Sequence, residues 1–257
     1  MNHPIGISGV VLTYNEERDI RRCLESLQGV VDEIIVLDSY SSDKTEEICR
    51  EHTDQFYQAP FAGYVEQKNA ALKYANHPYV LSLDADEALT DELKASILAK
   101  KKNGLDQQIA YRFNRRNNFC GHWVKRCGWY PDQKVRLWKL SEAKWAGVNP
   151  HDKVDIPFAQ AEQLDGDLLH YSYYTEEEHF RQIEKFSTIK AEAAFANGKR
   201  TNWLDIMIAP AFKFFRDYII KLGILEGRVG WKISKNSAYS KYLLKTKLKQ
   251  LQSDANK

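Results

Sequence analysis

Cysteine is scarce in this chain: Cys23, Cys49, Cys120 and Cys127 are the only four among 257 residues. They form no dense framework, which excludes a disulfide scaffold. Cys120, His122 and Cys127 supply three soft ligands but no paired Cys-x-x-Cys unit, so structural zinc is not expected. The N terminus lacks a basic region followed by an apolar signal core, and a reduced, cytoplasmic setting fits these features. No window approaches 18 continuous apolar residues, so a conventional transmembrane span is not expected either. Internal repeats and low-complexity tracts are missing. So are a close G-x-G-x-x-G and any G-x-x-x-x-G-K-[ST], and hydride transfer and P-loop hydrolysis lose ground accordingly.

What is present is enough apolar sequence for a substantial core, 43% hydrophobic against 28% charged. The net charge of +2 hides an asymmetry. From Lys199 onward there are 13 Lys and Arg against 4 Asp and Glu, which leaves the first 198 residues at 24 against 31. Such a basic segment can meet RNA or anionic lipid through the same field, so charge alone does not choose the partner.

The first 90 residues alternate between strand and helix signals. "IGISGVVLTY" reads as a buried strand, followed by "NEERDIRRCLESL" with Asn15 as a candidate helix cap and Ile20, Cys23, Leu24 and Leu27 at helical spacing. "VVDEIIVLDSY" gives a second strand ending at Asp38, "DQFYQAP" a short third, "GYVEQKNAALKYA" a helix and "PYVLSL" a fourth strand. This βαβαβαβ series favours a mostly parallel sheet covered by helices. Beyond Asp86 come a helix capped by Thr90, then "QIAYRFNRRNNFCG" and "KVRLWKL" as antiparallel additions. From Thr175 the pattern is mainly helical, and Pro210 starts or interrupts one helix. The expected division is a catalytic domain over residues 1–165, acceptor-side loops included, and a helical, basic extension over 166–257.

The chemistry gathers at strand ends. In "VLSLDADEAL", Asp84, Ala85 and Asp86 follow an apolar strand, and paired carboxylates there can hold Mg²⁺ or Mn²⁺ against a diphosphate. Asp38 and the first-strand residues Thr13, Tyr14, Asn15 and Glu17 reach the same carboxyl-side crevice, where a nucleoside can be bound.

Together, "VVLTYNEERDIRRCLESL", "VDEIIVLDSYSSDKT" and "YVLSLDADEAL" resemble the inverting family 2 nucleotide-sugar glycosyltransferases of the GT-A fold, across about residues 5 to 90. The resemblance implies nucleoside contacts at Thr13, Tyr14, Asn15, Glu17 and Asp38. It also implies a metal and diphosphate motif at Asp84 and Asp86, with Lys68 and Asn69 on the helix that faces the donor. Glu87 supports the loop.

Inverting transfer needs a base on the face opposite the leaving diphosphate. "WAGVNPHDKV" offers Asp152 for that task, with His151 to orient it. The stretch from "GWYPDQKVRLWK" to "PHDKV" resembles the lipopolysaccharide core glucosyltransferase subgroup, with His-Asp here where His-Glu is the family expectation. Trp129 and Tyr130 are candidates for a sugar-stacking wall. Asp132 is a further acceptor-side candidate, and Arg136 can pair with phosphate or with Asp132.

In the tail, Trp203, Ile206, Met207, Phe212, Phe214, Phe215, Ile219 and Leu222 lie among few charges, either as a packed appendage or as an interfacial segment with Lys213, Arg216 and Lys221 at anionic lipid. "FRDYIIKLGILEGRVGW" also resembles the C-terminal segment of membrane-surface transferases of that subgroup. The expectation is therefore a metal-dependent enzyme moving a hexose, glucose first, from a UDP-sugar donor to a saccharide or lipid-linked acceptor of lipopolysaccharide-core type. Its expected place is the cytoplasmic face of the inner membrane, held peripherally. A non-catalytic nucleotide-sugar-binding or RNA-binding module is the alternative, and nucleic acid is disfavoured because the positive excess is confined to the tail.

Overall fold

The computed structural model describes residues 5–148 and 151–255, with the side chains of Val148 and His151 outside the described set. The chain divides into two compact units, one of residues 1–116 and 132–171, the other of 117–131 and 172–257.

In the first unit, strands β1 (Ile7–Thr13), β2 (Glu33–Asp38), β3 (Phe56–Gln58) and β4 (Tyr79–Asp84) alternate with helices α1 (Ile20–Leu27), α2 (Thr45–Arg50) and α3 (Tyr64–Leu72). Their order, β3-β2-β1-β4, is parallel throughout. The apolar runs account for this: Val10, Val11, Ile35, Val36, Val80 and Leu81 are all buried, as strands covered on both faces require. Helix α1 turns Ile20, Cys23, Leu24 and Leu27 into that core.

The chain runs outward from β1 to β3 and then returns to the far side of β1 as β4. This reversal makes the gap between β1 and β4 a topological switch point, where open α/β sheets bind ligands beyond the strand ends. Register brings the candidate residues level there, with Thr13 beside Asp38 and Leu12 beside Asp84.

The antiparallel additions are β5 (Glu87–Leu89), β6 (Ala110–Phe119), β8 (Asp132–Lys139) and β11 (Ala161–Tyr173), which extend the order to β4-β8-β6-β11-β5. Strand β11 runs through position 165 and passes between elements at Gly166. A Cβ there would lie 2.3 Å from the Leu93 nitrogen of helix α4 (Asp91–Asn103), and the glycine has φ +93, so only glycine fits. Helix α4 starts where the sequence indicates: the Thr90 hydroxyl accepts from the Leu93 amide. Strands β9 (Trp145–Val148) and β10 (His151–Val154) form a separate hairpin. The α/β class and the GT-A architecture are as expected, but the parallel run forms one half of the sheet, with β3 at its edge, and the antiparallel additions form the other half.

In the second unit, the short strand β7 (His122–Trp123) pairs with the end of β6. Helices α5 (Glu176–Ala196) and α6 (Trp203–Phe215) both pack on the long helix α7 (Gly227–Asp254). Thr175 and Glu178 form a reciprocal capping box at the start of α5. Pro210 sits inside α6. Among the described residues no helix is long and apolar enough to cross a membrane.

Candidate active site

Strand β4 delivers Asp84 to the switch point, and the next two residues turn into β5. The Asp84 carboxylate is gripped from two sides. Lys68 Nζ lies 2.8 Å from one oxygen and Arg136 Nη2 lies 2.7 Å from the other. Burial acts to raise the Asp84 pKa, yet the charges of Lys68 and Arg136 hold it well below the usual carboxylate range. Arg136 also reaches Glu87 at 2.7 Å, and Glu87 accepts from Arg115 at 3.1 Å and from the Asp84 amide. Glu87 thus supports the loop.

Lys68 sits on α3 and is buried. It bonds Asp152 at 2.7 Å and lies 4.2 Å from the Trp145 ring centroid, so one ammonium joins Asp84 on β4 to Asp152 on β10. Its neighbour Asn69 has both ends of its amide on the Trp145 backbone, donating at 2.8 Å and accepting at 3.0 Å, and so fixes β9.

Asp86 points elsewhere, because Ala85 and Asp86 form a turn that breaks the extended run after Asp84. One oxygen lies 3.1 Å from His170 Nε2, and the Tyr171 amide donates to its carbonyl. The other oxygen has no hydrogen-bond partner among the described residues. Burial acts to raise the Asp86 pKa, and His170 lowers it below the usual range.

The charges around this point are uneven. Lys68, Arg115, Lys134 and Arg136 balance Asp84, Glu87, Asp132 and Asp152, four against four. Asp86 has His170 beside it and, without an ion pair, the charge of Arg115, and Glu16 is pushed up to about 8 by burial and by the negative charges of Asp86, Asp19 and Asp43, against the charge of Arg18. The residues therefore fit a divalent cation at Asp86: a carboxylate oxygen without a partner, an imidazole beside it and unbalanced negative charge. Among the described residues, no three His, Cys, Asp or Glu are clustered to hold a metal by themselves, so any ion there would need ligands from substrate or water.

On the nucleoside side, the two loops are knitted together. Asn15 has φ 54, a conformation asparagine tolerates, and is not a helix cap. Its amide donates to Ser41 Oγ and its side-chain oxygen accepts from the Ser42 amide, both at 2.8 Å. Glu17 accepts from the Lys44 amide. Asp38 is fully buried and accepts from Ser41 and Gln58. Tyr14 is exposed, whereas the buried Thr13 hydroxyl has no hydrogen-bond partner among the described residues. Ala85 is buried between the two aspartates.

The remaining expected residues divide. Arg136 does not pair with Asp132. Four residues along β8 separate them by about 13 Å, and register instead sets Asp132 opposite Arg115 on β6, which donates to it at 2.7 and 3.0 Å. Trp129 belongs to the second unit and packs with Phe119, Tyr173 and His179. Tyr130 follows it, ahead of a cis bond to Pro131. His122 there pairs with Glu226. The His151 side chain lies outside the described residues.

His170, Arg115, Trp145 and Glu16 are site residues that sequence reasoning missed. For His170 and Arg115 the only signal is their register, opposite Glu87 and Asp132, which no local pattern carries. Glu16 could have been found from its place beside Asn15 and Glu17.

Comparison with known proteins agrees with this arrangement. The profile described as Glycosyl transferase family 2 matches residues 8–155. The lipopolysaccharide core biosynthesis glycosyltransferase LpsC of Rhizobium meliloti is 28% identical over 229 residues, covering 82% of this chain and 80% of its own. The uncharacterized glycosyltransferase RT0209 of Rickettsia typhi is 27% identical over 254 residues, covering 95% and 87%. Among solved structures, the mannosyltransferase PcManGT of Pyrobaculum calidifontis, in complex with GDP-Man and Mn²⁺, superposes with a TM-score of 0.54 over 96% of this chain and 87% of its own. At 13% identity that likeness is one of fold.

Proposed function

The chain belongs to glycosyl transferase family 2, and from that premise we propose that it moves a hexose, glucose first, from a UDP-sugar to a lipopolysaccharide-core or related glycolipid acceptor. The observation that carries this reading is the Asp84-Ala85-Asp86 turn at the β1/β4 switch point, with Lys68 and Arg136 behind Asp84 and unbalanced negative charge at Asp86. The name of the LpsC relative supports the choice of acceptor class.

In this reading Thr13, Tyr14, Asn15 and Glu17 form the nucleoside edge, and Asp38 holds the loop that faces them. Asp86, with His170 beside it, would hold Mg²⁺ or Mn²⁺, and Asp84 with Ala85 would shape the diphosphate side. When bound, the ion would neutralise charge on the leaving diphosphate. Asp152 takes the proton of the acceptor hydroxyl as that oxygen bonds to the anomeric carbon, and the bond from that carbon to the diphosphate breaks to release UDP. Its tie to Lys68 supports this role by fixing one oxygen and leaving the other for the acceptor. Asp132 lies on the acceptor side, held by Arg115. The enzyme works peripherally at the cytoplasmic face of the inner membrane.

The test is a donor panel with a membrane glycolipid extract and mass measurement of the product, run with the parent chain and Asp152→Asn. A product one hexosyl unit heavier is expected. The variant should transfer about 10²–10⁴-fold more slowly, the scale of general-base catalysis, with donor affinity retained. Saturable donor binding without any transfer would defeat the enzymatic reading, and undiminished turnover would remove Asp152 from it.

A further inference from the structure

The hairpin of β9 and β10 carries Asp152 but is only two strands wide, too little to hold a side chain in place by itself. Its register points to what does. Trp145 stands opposite Val154, and Gly147 stands opposite Asp152. Alternation therefore puts Trp145 and Asp152 on one face of the hairpin as diagonal neighbours, about 7 Å apart. Gly147 lays no side chain over Asp152.

Lys68 of α3 enters beside both. Its ammonium has three N–H groups to place. It bonds Asp152 at 2.7 Å and Asp84 at 2.8 Å, and it stands over the Trp145 ring, 4.2 Å from the centroid. The Arg136 guanidinium lies 5.5 Å from the same centroid. Both cations that grip Asp84 therefore meet one indole.

The indole is not placed there for its N–H. Trp145 is 3% exposed, and its Nε1 has no hydrogen-bond partner among the described residues. The neighbouring Trp138, whose ring meets it edge-on at 5.7 Å, does donate, to the Ala143 carbonyl. A leucine or phenylalanine would fill the position of Trp145 without burying an orphan donor. What the indole alone supplies is the strongest aromatic face for a cation, and that attraction is largest where water is excluded. The backbone holds the same pair together, since Asn69, next to Lys68 on α3, bonds both the amide and the carbonyl of Trp145.

We propose that Trp145 is a positioning residue for the base. Its ring fixes the Lys68 ammonium, and the ammonium holds one Asp152 oxygen so that the other is presented to the acceptor hydroxyl. This rests on the glycosyltransfer reading, in which Asp152 takes the acceptor proton. Trp145→Leu should lower kcat about tenfold with little change in the donor KM, and Trp145→Phe, which keeps a ring face, should recover most of that loss. In a Lys68→Met background, or in Asp152→Asn if the former does not fold, Trp145→Leu should lower kcat by less than about twofold, because the ring then has nothing to transmit. In NMR spectra of lysine-labelled chain, the Lys68 side-chain protons should be shifted upfield by the indole and return to the ordinary lysine range in Trp145→Leu. An equal loss of kcat in both backgrounds overturns the proposal. So does an unchanged kcat in Trp145→Leu, or a Trp145→Phe no better than the leucine variant, since the indole then only fills space. A parent chain that transfers no sugar removes the glycosyltransfer reading instead. The spectra then decide the link from Trp145 through Lys68 to Asp152: a ring-shifted Lys68 signal that moves in Asp152→Asn upholds it, and an unshifted one overturns it.

Discussion

Arg136 is the residue whose loss the structure prices most directly. Its Nη2 makes two charge-assisted bonds of 2.7 Å, to Asp84 and to a fully buried Glu87, each contributing about 1.5–3 kcal/mol. Arg136→Met keeps the apolar stem and removes both. Neither acid is left wholly unpaired, because Lys68 remains 2.8 Å from Asp84 and Arg115 remains 3.1 Å from Glu87. The expected loss therefore falls at the lower edge of the 3–5 kcal/mol seen when a buried pair is broken, about 3 kcal/mol. Adding Glu87→Gln removes the charge most in need of a partner, so the double variant should be less destabilised than the sum of the singles by about 1–2 kcal/mol. Urea unfolding followed by both fluorescence and circular dichroism measures this, and coincidence of the two transitions tests whether the chain unfolds in one step. A loss below about 1 kcal/mol, or strict additivity, would refute the network as described.

Three further outcomes are expected. Asp86→Asn should abolish the dependence of transfer on Mg²⁺ or Mn²⁺ with little change in unfolding, whereas Asp84→Asn should lower stability as well as activity because Lys68 and Arg136 lose their shared anion; metal titrations and melting curves on both variants separate the two roles. Gly166→Ala should cost about 2–4 kcal/mol in urea unfolding, from the left-handed backbone and the clash with α4. Glu33 is lowered to about 2: its partial burial opposes this, but hydrogen bonds from Ser8, Asn76 and Gln55 outweigh it. The unfolded chain then binds the extra proton, so Glu33's contribution is complete above about 4.5 and is lost as pH falls toward 2. After solvent screening this amounts to about 1–2 kcal/mol, and Glu33→Gln should flatten stability against pH across that window.

The parallel half of the sheet was legible because its signals are local. An apolar run that ends in an acid announces both a buried strand and the place where it surfaces, and Thr13, Asp38 and Asp84 fall together at the strand ends as their positions suggest. Strand β11 was hidden because Asp165 and Gly166 break its alternation, and β5 because three residues carry no period. Arg136 was paired with Asp132 by nearness along the chain, although register governs which strand residues meet. Asn15 looked like a helix cap since the same side chain that caps helices also tolerates positive φ.

Asp84 and Asp86 are one residue apart and of one chemical kind, yet their surroundings give them opposite electrostatic situations. Asp84 lies between two buried cations, where it completes a balanced set. Asp86 has an oxygen without a hydrogen-bond partner among the described residues and Glu16 nearby, where an added positive charge relieves repulsion. A site that binds a diphosphate with a divalent ion needs both arrangements. Unbalanced acid attracts the ion, and cations held in place by a neighbouring acid keep the pocket from collapsing before substrate arrives. The Asp-x-Asp turn supplies both, because the chain leaves the extended conformation at Ala85 and Asp86, so that Asp84 meets Lys68 and Arg136 whereas Asp86 meets His170.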